Sequence, residues 1–444
     1  MHALTRRAFF RNSGLALLAL GVPPEFITRS LLAGTRGAER KKTLVCIFQR
    51  GAVDGLNMVV PFGEAAYYAQ RRSIALPTPS SSDGGVIDLD GFFGLHPSLG
   101  PLHGLYTRNE LAIVHAVGSP HPTRSHFDAQ DFLETGTPGV KSTRDGWLNR
   151  VLVDTGCPDC SGRTLDDADA HAVDHAAGQA AMAVENLALR GIAMGAALPR
   201  SLRGSHPAVA IEDLDRFGVA GGTDASLEDA FARAYRTEGG DLVSSAAGDA
   251  FEAIRLLRGL DLARYRVAAG VEYPAGNFGR SLRQIAQLIK ADVGVEIAFA
   301  DLGGWDTHQG QGGLRGQLAN RLTELARGIR ALYDDLGDHM DDVVLVTMSE
   351  FGRTVAENGS GGTDHGHANC MMVLGGAVRG GQVLGDWPGL EREQLYQGRD
   401  LALTTDFRDV FAELVSRHLG ADQLDRVFPG HISDPGRWRS ILNS

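Results

Sequence analysis

The sequence predicts an α/β fold, a mostly parallel sheet flanked by helices on both faces, and three observations predict it. Short apolar runs of strand character alternate with longer stretches of helical periodicity, the pattern of strands joined by crossover helices. Glycine is abundant, 57 of 444 residues, and many of its clusters fall where the apolar runs end. Those ends are where an open α/β sheet places its ligand site. The apolar fraction, 43%, suits a chain that builds a sizeable core.

Taken in order, the chain begins with Thr5-Arg6-Arg7-Ala8-Phe9-Phe10-Arg11 and then the apolar run Leu15 to Leu20. An arginine pair, two aromatics and a short apolar run make a twin-arginine export signal, and the run is far shorter than the ~20 residues of a membrane-spanning helix. Residues 1–38 are therefore expected to be a signal segment handed to the twin-arginine translocase. Residues 39–444 are expected to form a single domain without a permanent membrane span, periplasmic or extracellular. The first strand is Thr43 to Phe48 and the second is Leu111 to Val117, followed by helices from about His126 to Glu134 and from Gly146 to Val153.

Between 154 and 181 periodicity is lost in a tract rich in Asp, Ala, Gly and His, which reads as a surface insertion. Cys157 and Cys160 in it form a pair suited to a disulfide, and His171 and His175 read as solvated. Helical periodicity returns at 226–236, 247–263 and 277–291, and a strand follows at Val295 to Ala300. A long helix, Leu314 to Leu336, feeds the strand Val343 to Thr347; a glycine-rich loop precedes the strand Cys370 to Leu374, and the helix Asp406 to Leu419 closes the fold. Cys46 and Cys370 lie within strands and read as small core residues. The net charge of −11 excludes a nucleic-acid binder, for the only basic cluster beyond the one ending at Lys42 is Arg71-Arg72.

Segments that follow the strands carry the chemistry. They are Gly51-Ala-Val-Asp54, Pro122-Thr123-Arg124-Ser125-His126, Gly304-Trp-Asp306-Thr-His308, Ser349-Glu350-Phe-Gly-Arg353 and Thr363-Asp364-His365-Gly-His367. Carboxylate oxygen and imidazole nitrogen suit zinc, manganese or a related divalent ion, and a pair of such ions can grip a phosphoryl-like group from both sides. Each residue also has a plainer reading. Asp54 before glycine suits a turn; Ser125, three residues before Asp128, suits a helix N-cap; Asp306 and His308 suit a loop hydrogen-bond pair. His365 and His367 alternate, so on an extended segment they face opposite ways and one of them is a ligand. Arg353 is placed to pair with Glu350 or to hold a substrate anion.

With Phe48-Gln-Arg-Gly-Ala-Val-Asp-Gly-Leu-Asn57, Thr123-Arg-Ser-His-Phe-Asp128, Gly304-Trp-Asp-Thr-His308, Ser349-Glu-Phe-Gly-Arg-Thr354 and Gly362-Thr-Asp-His-Gly-His367, the chain resembles a bacterial twin-arginine-exported family, domain of unknown function 1501. That family is grouped with the alkaline-phosphatase-like and sulfatase-like superfamily. By order along the chain, the resemblance implies Asp54 as the first metal ligand, Ser125 as nucleophile with Thr123 in reserve, and Asp306 with His308 as a ligand pair. It further implies Glu350 at a strand-following metal position and His365 or His367 as the last metal histidine; with Asp364 these make the expected ligand set. The short Asp306-x-His308 spacing and the lack of a histidine after Glu350 depart from the superfamily pattern, so one or two ions are implied. The expected activity is hydrolysis of a phosphate or sulfate ester, small or on a glycan, with Arg353 or Arg124 holding the anion. The alternative is a non-catalytic exported assembly protein on the same fold.

Overall fold

Strand β1, Thr43–Arg50, shows how the sequence makes two hydrophobic layers at once. Its side chains alternate across the sheet, and Val45 and Ile47 enter one apolar cluster while Leu44, Cys46 and Phe48 enter another. A strand buried on both faces is the mark of a sheet covered by helices on each side. The computed structural model describes residues 41–79, 84–156, 189–214 and 265–443. The expected signal segment, the insertion beyond residue 156 with its two cysteines and two histidines, and the helices expected at 226–236 and 247–263 lie outside the described residues.

Eight strands of the main sheet run in the order β11-β5-β10-β9-β1-β8-β6-β7, and β12 pairs with β5. Besides β1, this nine-stranded sheet holds β5 (Leu111–Gly118), β6 (Gly191–Met194), β7 (Val209–Ile211), β8 (Ile297–Gly303), β9 (Val343–Met348), β10 (Asn369–Gly375), β11 (Gln382–Leu384) and β12 (Thr405–Asp406). Strand β10 is antiparallel to both its neighbours, and the other pairings are parallel. Three two-residue strands, β2 (Val59–Val60), β3 (Ile87–Asp88) and β4 (Gly94–Leu95), form a small antiparallel sheet beside it. The mostly parallel α/β expectation is borne out by this topology.

Helix α1 is the single turn Gly55–Met58 after β1, and α2 is Gly100–Thr107. Helix α3 is His126–Thr135, α4 is Trp147–Thr155, α5 is Asn277–Lys290, α6 is Gln317–Leu336 and α7 is Phe407–Leu419. Leu102 of α2, Leu282 and Ile285 of α5, and Leu322 and Ile329 of α6 pack on the Val45 face; Leu148 and Val151 of α4 and Phe411 of α7 pack on the Phe48 face. Cys46 and Cys370 are free and fully buried, as their place in strands requires. No helix among the described residues is long and apolar enough to cross a membrane.

The reversed direction of β10 decides where the site lies. Parallel strands β1, β5, β8 and β9 deliver the residues that follow them to one sheet edge. An antiparallel strand brings there the residues that precede it, and so the Thr363–His367 segment ahead of β10 joins the loops after the other four.

Candidate metal centre

At that edge the chain turns sharply after β1. Gly51 has φ +113° and Ala52 φ +60°. A Cβ on Gly51 would lie 2.8 Å from the Asp306 backbone nitrogen, so the loops after β1 and β8 meet backbone to backbone. The fully buried guanidinium of Arg353 fastens these loops together. It donates to the carbonyls of Ala52 (2.6 Å), Gly51 (2.6 Å), Trp305 (3.0 Å) and Thr363 (3.0 Å), and to Asp306 Oδ1 (2.7 Å).

Around Asp306 three imidazoles converge. One potential ligand atom each from His126, Asp306 and His365 lies within 4.8 Å of the others. His308 Nε2 lies 3.1 Å from Asp306 Oδ1 and 2.9 Å from His365 Nε2. Each ring has its Nδ1 against an acceptor: His126 on Glu350 Oε1 (2.8 Å), His308 on Asp364 Oδ1 (2.9 Å), His365 on the Arg124 carbonyl (2.8 Å). Carbonyls and ionised carboxylates only accept, so each Nδ1 carries a proton, and Nε2 is the ring nitrogen that faces Asp306.

Both carboxylates are ionised at neutral pH. Burial raises the Glu350 pKa, but hydrogen bonds from His126, Gln130 and the Gly51 N–H outweigh it and hold it below its usual value. Asp364 is lowered by hydrogen bonds from Asn358 and His308. For Asp306, burial is overcome by the hydrogen bond and charge of Arg353, and the group titrates below the ordinary carboxylate range. His126 Nε2 is buried without a partner, 3.6 Å from Asp306 Oδ2. The Nε2 atoms of His308 and His365 2.9 Å apart, the unpartnered Nε2 of His126 and the ionised Asp306 form a donor set that a cation would complete.

The residues expected from sequence fall into three places. Asp306, His308 and His365 are in the convergent group. Glu350 and Asp364 stand behind it, their Oε1 and Oδ1 taken by ring N–H groups, the arrangement by which a carboxylate orients a histidine. Asp54 and His367 lie apart. Asp54 is fully buried, with Oδ2 2.5 Å from Arg71 Nη1 and 2.6 Å from Gln311 Nε2; His367 is buried and stacks on Tyr396 at 4.4 Å.

Arg353 points inward at backbone and at Asp306, with its side chain fully buried. Arg124 donates to Asp400. Ser125 is exposed at the N-cap of α3 and makes no side-chain cap bond; Asp128 pairs with Lys141. Thr123 Oγ1 accepts from the Ser125 N–H at 3.2 Å. The histidine that sequence reasoning passed over is His126. The pattern that exposes it is its place immediately after Ser125, in a strand-following segment that ends on a helix start.

The family model described as a protein of unknown function, DUF1501, matches residues 41–428. This chain belongs to the DUF1501 family. No curated protein matches this DUF1501 chain. Among solved structures, the C-terminal periplasmic domain of EcEptC from Escherichia coli, in complex with zinc, is similar at 11% identity and a TM-score of 0.32, over 77% of this chain and 74% of that one. The PsFucS1 sulfatase from Pseudoalteromonas sp. is similar at 14% identity and a TM-score of 0.33, over 82% and 69%.

Proposed function

We propose that the protein is an exported, metal-dependent hydrolase of phosphate or sulfate esters. The observation that carries this reading is the set of three imidazoles whose Nδ1 protons are fixed outward and whose Nε2 atoms turn toward Asp306. His126, Asp306, His308 and His365 would hold one divalent ion. Three nitrogens and a single carboxylate suit zinc better than manganese. A bound ion of this kind supplies Lewis-acid polarisation of the ester and lowers the pKa of a nearby hydroxyl.

The chain's own residues supply the rest. Glu350, Asp364 and the Arg124 carbonyl keep each ring in the binding tautomer, and Arg353 keeps Asp306 ionised. Ser125 stands exposed where α3 begins, among backbone N–H groups that favour an anion, and its hydroxyl is the proposed nucleophile with Thr123 in reserve. Oγ attacks the phosphorus or sulfur, the alcohol leaves, and water releases the group from the serine. The substrate is a small or glycan-borne ester, met in the periplasm or outside the cell after passage through the twin-arginine translocase.

Ser125→Ala is expected to abolish turnover of aryl phosphate or sulfate while metal content stays near one equivalent. An Asp306→Ala, His308→Ala double variant is expected to lose the ion. Undiminished turnover in Ser125→Ala rejects the serine mechanism. The inward commitment of Arg353 favours a second reading, a metal-holding assembly protein without turnover. Its mark would be a periplasmic complex that survives loss of Ser125.

A further inference from the structure

Beside His365 lies a pair of guanidinium groups that share a single buried counter-charge. Asp400 is fully buried; its Oδ2 accepts from Arg124 Nε (3.0 Å) and Nη2 (2.5 Å), and its Oδ1 accepts from Arg399 Nε (2.9 Å). Two positive charges thus face one negative charge. The arginine side chains remain 28% and 45% exposed, and neither Nη1 has a protein partner among the described residues. Asp364, whose carboxylate also feels the charge of Arg399, has its Oδ1 engaged by His308 and Asn358.

The loop that presents the pair is closed on itself. Tyr396 and Asp400 exchange backbone hydrogen bonds, and Gln397 takes φ +56°, costly for a residue with a side chain, while its Oε1 accepts from Arg124 Nη2 at 2.9 Å. Both residues also meet His365: its ring Nδ1 donates to the Arg124 backbone carbonyl (2.8 Å), and Arg399 Nη2 donates to the His365 backbone carbonyl (2.5 Å). The pair is rigidly held, adjoins the metal centre, and follows directly on the Ser125 helix start.

We propose that Arg124 and Arg399 form a subsite for an oxyanion carried on the substrate's leaving group, so that the preferred ester bears a second carboxylate, sulfate or phosphate. Asp400 holds both guanidiniums in advance and leaves their Nη1 donors without a protein partner among the described residues. The two offer those donors and their charge to such a group without losing rotamer entropy on binding. The subsite rests on the hydrolase reading for its place in turnover; its affinity for an oxyanion does not.

Inorganic sulfate titrated by calorimetry tests it, in the full chain and in the Asp306→Ala, His308→Ala variant, each with and without Arg399→Gln. One sulfate is expected to bind the double variant, and Arg399→Gln to weaken it about tenfold or more. Arg399→Lys, which keeps the charge and loses the fixed Nη1 donor, should fall between. No sulfate in the double variant, or equal affinity with and without Arg399, overturns the proposal. Sulfate binding without ester turnover would leave the subsite standing and remove the hydrolase. Turnover indifferent to a charged leaving group, with no second sulfate, would do the reverse.

Discussion

Glu350 is the residue on which the centre's proton balance turns. Ordinarily near 4.5, its pKa is lowered in the fold, so the stability it adds is complete above pH 4.5 and disappears as pH falls through the depressed value. His126, ordinarily 6.5, is raised chiefly by its bond to Glu350 and adds stability that is complete below pH 6.5 and lost as pH rises through the raised value. So far as this pair decides, the metal-free protein is expected to be most stable between about pH 4.5 and 6.5, which thermal melts in chelator would read. Metal affinity should move the other way across the upper limb, because a proton on Nε2 competes with the ion. A melting temperature that does not vary from pH 4 to 8 would take the pair out of this account. Sequence made Asp306, His308 and His365 legible through their residue types and glycine-bounded segments. It could not divide the residues of the convergent group from those behind it. Whether a carboxylate meets an ion or a ring N–H depends on partners far along the chain, 224 residues in the case of His126 and Glu350.

The elements that place these residues were largely readable. Strand β1 was expected at Thr43 to Phe48 and runs Thr43–Arg50; the helix expected from Asp406 is α7, with Asp406 as its N-cap accepting from the Arg408 N–H. Long periodic segments declare themselves because burial repeats along them. Strands β2, β3, β4, β11 and β12, two or three residues each, are too short to show a period, and they owe their state to neighbours across the sheet. The loop after β1 depends on a backbone conformation rather than on a pattern. Gly51→Ala would bring a methyl to 2.8 Å from the Asp306 nitrogen at a φ that alanine resists. It is expected to cost roughly 1–3 kcal/mol in urea unfolding and to lower metal occupancy as Asp306 is displaced. Unchanged occupancy would mean that the β8 loop is set without β1.

At the scale of the molecule, the buried pair Asp54–Arg71 joins the β1 edge to the segment after β9. Arg71 donates to Asp54, to Asn57 and to the carbonyls of Val355 and Thr354, with no exposure of either charged side chain. Arg71→Gln leaves a buried carboxylate without its cation and is expected to cost about 3–5 kcal/mol; Asp54→Asn added to it should return a good part, measured by urea unfolding. Additive losses would show that the charges act independently. The reversal of β10 has a further consequence, for the order in which the molecule is made. Because the rings that meet Asp306 come from a helix after β5 and from the lead-in to β10, His365 and the Arg124 carbonyl close a loop of 241 residues. Contacts so distant in sequence are among the last that a folding chain completes. A nascent or partly folded chain therefore holds histidines but no convergent group, and under the proposed function the retention of a metal ion is a test that only a finished molecule passes.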